Sequence, residues 1–325
     1  MIQRTIDPII STKPPLKWAG GKRWLVPHLR PLWEPFRDRR LVEPLCGGLA
    51  VTLGLMPDRA LLNDINPHLI NFYRWLKDGL VTSIEMRNDE ALFYAHRTRF
   101  NQIICAGEER SREAAELFYY LNRTCFNGLC RFNSKGEYNV PFGRYKQINY
   151  TTDFMPYAEV FAGWNFTCGS FDQVPLTEGD FVYADPPYDV EFTKYSKEDF
   201  GWDDQIQLAE LLARHRGPVV LSNQATERVV RLYDSLGFDL RILSAPRRIS
   251  CTGDRTPADE VLALRGLEPC RRAIPARGPC SRRWFCRHSA AAATFIRRRF
   301  ISVCGLVAAS ISSTLWLRVL QVSNS

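Results

Sequence analysis

Short apolar runs alternate with stretches of helical periodicity over most of this chain. Residues 40–43 (RLVE) predict a short buried strand, followed by a loop at 44–48 and an apolar segment at 49–55 that opens a helix. Residues 60–63 predict a second strand ending in Asp64, after which Leu69, Ile70, Tyr73 and Leu76 fall at helical spacing. Strand, glycine loop, helix, and strand with a terminal acid make the front half of a doubly wound nucleotide-binding sheet.

From Val81 to about Cys125 the pattern is helical, with Leu117, Tyr120 and Leu121 on one side of a helix. Residues 126–150 then change texture, being rich in Asn, Gly, aromatic and basic side chains, with Ser134-Lys135-Gly136 as a hairpin turn. Strands resume at 165–168 and at 181–184 (FVYA), the latter running directly into Asp185-Pro186-Pro187-Tyr188. Ile206, Leu208, Leu211 and Leu212 mark a helix, and 219–221 predict another apolar strand ending at Ser222-Asn223. Residues 238–243 and 259–264 add a final antiparallel pair. The expected fold is α/β, a doubly wound sheet covered on both faces. Its expected parts are a first section at 1–80, an inserted, mainly helical lobe at 81–162 carrying a β-hairpin at 126–150, a second section at 163–265, and a tail at 266–325.

The length of 325 residues suits this architecture, and an apolar content of 45% excludes a disordered or fibrous chain. The formal charge of +8 misleads unless it is located. Residues 266–325 hold ten Arg, no Lys and one acid, Glu268, so the remaining 265 residues are left at −1. A nucleic-acid argument must therefore rest on local patches. The first 17 residues carry Arg4, Asp7 and three prolines where a signal peptide needs an apolar run, which points to the cytoplasm. In that reducing setting Cys46, Cys105, Cys125, Cys130, Cys168 and Cys251 read as small core residues, and Cys270, Cys280, Cys286 and His288 are spaced too irregularly for a zinc module. The uncharged 18-residue run at 300–317 has the length of a membrane span but contains four Ser and one Thr, which leaves a span, a packed helix or an unstructured tail open. Membrane contact by this tail is the least expected of these.

The DPPY tetrapeptide carries the chemistry. It sits at the C-terminal end of a strand, where open α/β sheets bind ligands. Consecutive prolines have no N–H groups, so a carboxylate and a carbonyl there form a pure acceptor pair. Such a pair suits an exocyclic amino group, and Tyr188 supplies a flat face on which a base can stack. The alternative is a simple strand-ending turn. Glu43-Pro44-Leu45-Cys46-Gly47-Gly48 and Asp64 argue against it, since glycines admit a close ligand and an acid at a strand end can hold ribose hydroxyls.

With these motifs in order, the chain resembles the Dam-type DNA adenine-N6 methyltransferases. The matching segments are LKWAGGK (16–22), VEPLCGG (42–48), LNDIN (62–66), LNRTCFNGLCRFNSKGEYNVPFGRYK (121–146), YADPPY (183–188), LSNQ (221–224) and RRISCTGDR (247–255), spanning about three-quarters of the chain. The resemblance implies a Rossmann-like methyltransferase sheet with an inserted DNA-recognition lobe. It implies S-adenosylmethionine as methyl donor, bound by Trp18, Lys22, Glu43, Gly47, Asp64 and Asp185, with Asp185, Pro186 and Tyr188 catalytic and no metal. Trp18 also fits a core anchor, and Lys22 a solvated surface charge.

The partner so implied is double-stranded DNA, with no obligatory protein partner. Lys17, Phe126, Asn127, Leu129, Arg131, Pro141, Arg144, Tyr145 and Lys146 match the family's DNA-contacting positions. Arg131 suits a bidentate grip on guanine, whereas Arg144 and Lys146 suit phosphates. Phe126 matches an aromatic that intercalates beside the flipped adenine, and also fits a hairpin core residue. The implied reaction is methylation of adenine N6, in GATC.

One departure stands out. Leu49 occupies a glycine position of the cofactor loop, where its side chain is expected to crowd the methionine end of the donor. That keeps open a DNA-binding relative that does not catalyse. An RNA base amino-methyltransferase is the other alternative, disfavoured by the long inserted lobe.

Overall fold

The computed structural model describes residues 13–188, 200–245 and 258–267. The segment at 247–255, Cys251 and the tail beyond Leu267, with its run at 300–317, lie outside the described residues.

Seven strands form one sheet: β1 (Arg40–Glu43), β2 (Ala60–Asp64), β3 (Trp164–Cys168), β4 (Asp180–Ala184), β5 (Val219–Gln224), β6 (Asp239–Ala245) and β7 (Ala258–Arg265). Their order is β3-β2-β1-β4-β5-β7-β6. The first five run parallel, and β7 inserts antiparallel between β5 and β6. From β1 the chain winds outward through β2 and β3, then returns to lay β4 on the other side of β1. The gap above β1 and β4 is therefore the topological switch point, where such sheets bind ligands.

Alternating side chains divide between two cores. Leu41, Leu62, Phe181, Tyr183, Val220 and Leu262 face one, and Val42, Leu61, Val182, Val219, Leu221 and Val261 face the other. Both faces are covered, which explains why the strands read as continuous apolar runs. The expected strands and the final antiparallel pair all form, with bounds shifted by one or two residues.

The larger core also takes in helices α1 (Val26–Trp33), α2 (Ala50–Leu55), α3 (Pro67–Lys77), α4 (Glu90–Cys105), α5 (Arg112–Thr124) and α6 (Met155–Phe161), while α7 (Trp202–Arg214) and α8 (Glu227–Ser235) cover the second. Asn66 caps α3 by accepting from His68 N and Leu69 N at 3.0 and 3.2 Å, and Pro67 supplies the first helical position. Two expectations change. Residues 81–89 are not helical, and α5 is buried nearly all round, from Ala114 through Asn122, instead of on one side. Its buried Glu116 is tolerated because Arg112 and Ser83 both donate to it. Among the cysteines, Cys46 and Cys125 are core residues, Cys130 is half-buried, and Cys105 and Cys168 are exposed at helix and strand ends.

Between α5 and α6 the chain makes a ribbon in place of a long ladder. Cys125 bridges to Phe142 and Phe132 to Tyr138, closed by a turn at 133–137 with Gly136 at φ +79°. The expected hairpin turn is present, and side chains stabilise its stem: Arg131 Nε donates to Asn139 Oδ1 at 2.8 Å.

Gly163 leads into β3, and a Cβ there would overlap the Asp58 carbonyl oxygen. Gly163→Ala is expected to destabilise the fold by about 1–3 kcal/mol, read as a lower urea midpoint with unchanged slope. An unchanged midpoint would mean that the backbone contact between the starts of β2 and β3 yields at no cost.

Candidate active site

The C-terminal ends of β1, β2 and β4 open into one cavity of about 630 Å³. Trp18, Lys22, Glu43, Gly47 and Asp64 line it, and so do Asp185, Pro186 and Tyr188. All eight residues assigned to cofactor or catalysis thus meet in a single space.

In one half of it, the backbone is arranged around a carboxylate. Gly47 N donates to Asp64 Oδ2 and Asn66 N to Asp64 Oδ1, both at 3.0 Å, while Tyr73 OH holds Gly47 O at 2.7 Å. Burial pushes the Asp64 carboxyl up, and those backbone N–H groups oppose the shift. Gly47 has φ +44°, and the Trp18 side chain lies so close that a Cβ on Gly48 would stand 2.7 Å from Trp18 Cβ. The glycines here serve the packing of Trp18 as well as the opening of the loop. Ile65, 63% exposed, adds an apolar face beside Asp64.

Leu49 does not crowd this space. It adopts φ +59°, caps α2 and is fully buried in the larger core, while Gly47, Gly48, Ala50 and Val51 line the cavity. A left-handed leucine costs on the order of 1–2 kcal/mol of backbone strain, which its burial offsets. Glu43 is sunk beneath the loop and accepts from Thr52 Oγ1. Burial pushes its carboxyl up to about 8.

In the other half, Asp185 leaves β4 beside Pro186. Its Oδ1 receives Lys22 Nζ at 2.6 Å and Ser222 Oγ at 3.0 Å, and Tyr183 OH lies 2.9 Å from Ser222 Oγ. Asp185 Oδ2 and the Pro186 carbonyl oxygen accept no hydrogen bond among the described residues. Lys22 is buried, not a surface charge. Burial pulls its ammonium down, but Asp185 and Glu260 outweigh that and hold it above the ordinary range. Lys22 Nζ lies 4.6 Å from the centroid of the Tyr188 ring, whose phenol burial pushes up to about 12. Gln205 Nε2 donates to Pro187 O at 2.7 Å, and Asn223 Nδ2 to Gln205 Oε1 at 3.0 Å, so the double-proline turn is braced from α7 and β5.

The ribbon carries most of the residues matched to DNA contact. Phe126, Asn127, Pro141, Arg144 and Lys146 are exposed, Phe126 by 49%, and Phe126 N donates to Pro141 O at 2.9 Å. Phe126 is therefore not a hairpin core residue. Leu129, Arg131 and Tyr145 are half-buried. Lys17 is held from several sides: its N donates to Asn122 Oδ1 at 2.9 Å, its Nζ to Arg123 O at 3.0 Å, and Nζ lies 3.7 Å from the Tyr145 ring centroid. The ribbon docks on the turn after Asp64, with His68 stacked on Phe132 at 4.8 Å and Asn66 Nδ2 donating to Cys130 Sγ at 3.3 Å.

Sequence reasoning missed Glu260, Gln205, Asn223 and Asn122. Each is a buried polar residue within an apolar strand or helix, and that misfit with its neighbours was the available signal. No cluster of three or more His, Cys, Asp or Glu suited to a metal occurs among the described residues. Among them also, no helix is long and apolar enough to cross a membrane.

Burial of Glu43 makes a pH prediction. Its folded value of about 8 lies above the ordinary 4.5, so its contribution to stability is full below the unfolded value and is lost as pH rises through the folded one. Glu43→Gln keeps an acceptor for Thr52 and removes that loss. Between pH 5 and 8 the wild type should lose about 1–3 kcal/mol relative to the variant. Parallel stability curves would show that Glu43 does not titrate in this range.

Comparison with known proteins identifies the family. The family described as D12 class N6 adenine-specific DNA methyltransferase matches residues 18–248. The DNA adenine methylase of Vibrio cholerae is 38% identical over 271 residues, covering 77% of this chain and 94% of the relative. The retron Ec67 DNA adenine methylase of Escherichia coli is 34% identical, covering 81% of this chain and 95% of the relative. The DNA N-6-adenine-methyltransferase of Escherichia phage P1 is 37% identical over 76% of this chain, which spans only 35% of that longer protein. The chain belongs to the D12 class of N6 adenine-specific DNA methyltransferases.

Proposed function

We propose that this enzyme transfers a methyl group from S-adenosylmethionine to N6 of an adenine swung out of duplex DNA, within GATC, in the cytoplasm. The observation that carries the reading is a pair of acceptors, Asp185 Oδ2 and Pro186 O, that take no hydrogen bond among the described residues and belong to the same cavity as the braced Asp64 carboxylate. The donor half fits an adenosine group: Asp64 has lone pairs left for ribose hydroxyls, and Trp18 and Ile65 offer apolar faces. When bound, S-adenosylmethionine supplies an electrophilic methyl on its sulfonium.

The chain's own residues do the rest. Asp185 Oδ2 and Pro186 O accept the two N–H bonds of the adenine amino group, which leaves the nitrogen lone pair free to face the methyl; once methylated, the nitrogen releases one of those protons along its hydrogen bond to Asp185 Oδ2 and on to solvent. Tyr188 stacks on the ring, and contacts of this kind offset an extrusion cost of a few kcal/mol. Lys22 and Ser222 hold Asp185 oriented before substrate arrives, so little reorganisation remains at the moment of transfer. Residues 1–80 and 163–265 serve as the catalytic part and 81–162 as the recognition lobe. In that lobe Arg131 discriminates guanine by about 1–3 kcal/mol, and the exposed Arg144 and Lys146 grip phosphates.

Plasmid DNA incubated with enzyme and S-adenosylmethionine should resist a nuclease blocked by adenine methylation at GATC and remain open to one that requires it. The reverse pattern with tritiated methyl still incorporated would retain the chemistry and overturn the site. Asp185→Ala should lower transfer about 100-fold or more while duplex binding changes only a few-fold. Full transfer by that variant would overturn the assigned roles.

A further inference from the structure

The sheet brings one more charged group to the reacting end. β7 runs against β5, so its first residues lie beside the C-terminal ends of the parallel strands, and Glu260 pairs in register with Gln224. Glu260 is 1% exposed. Its Oε2 accepts from Tyr188 OH at 3.0 Å. Its Oε1 stands 3.4 Å from Lys22 Nζ, yet makes no hydrogen bond among the described residues. A buried carboxylate oxygen left in this state is costly, and here it faces the one ammonium that also holds Asp185.

We infer that Glu260 is a positioning residue for methyl transfer, fixing the Tyr188 ring through its hydroxyl and sharing the Lys22 ammonium with Asp185. The inference rests on the proposed reaction and deepens it. A stacking ring on a loop after two prolines needs an anchor at its far end, and the hydroxyl bond to β7 supplies one. An ammonium 2.6 Å from Asp185 Oδ1 weakens that carboxylate as an acceptor for an amino group. A second carboxylate on the same ammonium draws part of this pull away. Without Glu260, Lys22 turns wholly to Asp185, and Tyr188 loses the contact that sets its plane.

The variants are Glu260→Ala, Glu260→Gln and Tyr188→Phe, with kcat and KM for a GATC duplex, S-adenosylhomocysteine binding by calorimetry, and the thermal midpoint measured for each. Glu260→Ala should lower kcat tenfold or more with KM for DNA within threefold, and weaken S-adenosylhomocysteine about threefold through the displaced Lys22. Glu260→Gln, which keeps an acceptor for Tyr188, should recover part of the lost kcat. Combined with Tyr188→Phe, Glu260→Ala should be no slower than the slower single variant, because both cut the same contact. A role confined to folding would lower the midpoint without this non-additivity, and Glu260→Gln and Tyr188→Phe preserve volume should the alanine variant fail to fold. Unchanged kcat and unchanged S-adenosylhomocysteine affinity, or fully additive losses, would overturn the inference alone. A wild-type protein that transfers no methyl overturns the proposed function and takes this inference with it.

Discussion

A buried ammonium fixes the geometry on which the site depends. Lys22 is almost wholly out of solvent, so its charge requires partners, and among the described residues Asp185 and Glu260 are the carboxylates within reach. Removing one member of such a group leaves the other's charge buried and unpaired, at a cost of about 3–5 kcal/mol. The chain segment carrying Lys22 is therefore tied to the end of β4. That segment, residues 16–22, precedes the first helix and belongs to no strand, so individual contacts of this kind, not a strand ladder, determine where it runs.

What the segment joins gives this tie its importance. Trp18 packs on Gly47 and Gly48, next to the loop that positions Asp64. Lys17 is clasped by Asn122 and the end of α5, and a Cβ on Gly128 would run into it. Asn122 also donates to Lys17 O at 2.8 Å and toward Gly128 O at 3.4 Å, linking the segment to the base of the ribbon. The loop before α2, the DPPY turn and the ribbon are thus all referenced to the same short piece of chain. Under the proposed reaction these are the donor, the reacting centre and the DNA reader, which must agree to within tenths of an ångström for transfer.

The sequence revealed the sheet because a parallel strand buried on both faces must be apolar throughout, and 181–184 and 219–221 are. It revealed the cavity residues because glycines, prolines and acids at strand ends conflict with their apolar surroundings. It did not reveal the burial of α5, whose Glu116, Asn122 and Thr124 look like a solvent face until Arg112, Lys17 O and Tyr120 O satisfy them. Nor did it reveal where Leu49 points. A glycine-loop position suggests space beside a ligand, but the left-handed turn carries this side chain under the loop and into the core. Glu260 was hidden for a related reason: a strand pattern gives alternation along the chain, whereas its role comes from an antiparallel register that sets it beside Gln224.

The state of Asp185 follows from the same contacts. Lys22 and Ser222 both address Oδ1, so the carboxylate is oriented from one side and its second oxygen accepts no hydrogen bond among the described residues. An acceptor held this way has already lost its rotational freedom and most of its hydration in the folded protein. The folded sheet bears that cost, not the encounter with substrate. Gln205 and Asn223 do the same for the proline turn, holding Pro187 O so that the preceding carbonyl keeps its direction. Two oxygens braced by four side chains from three parts of the fold, the 16–22 segment, β5 and α7, make a rigid fork. A rigid fork favours an amino group able to offer both hydrogens at once over a hydroxyl, which has only one.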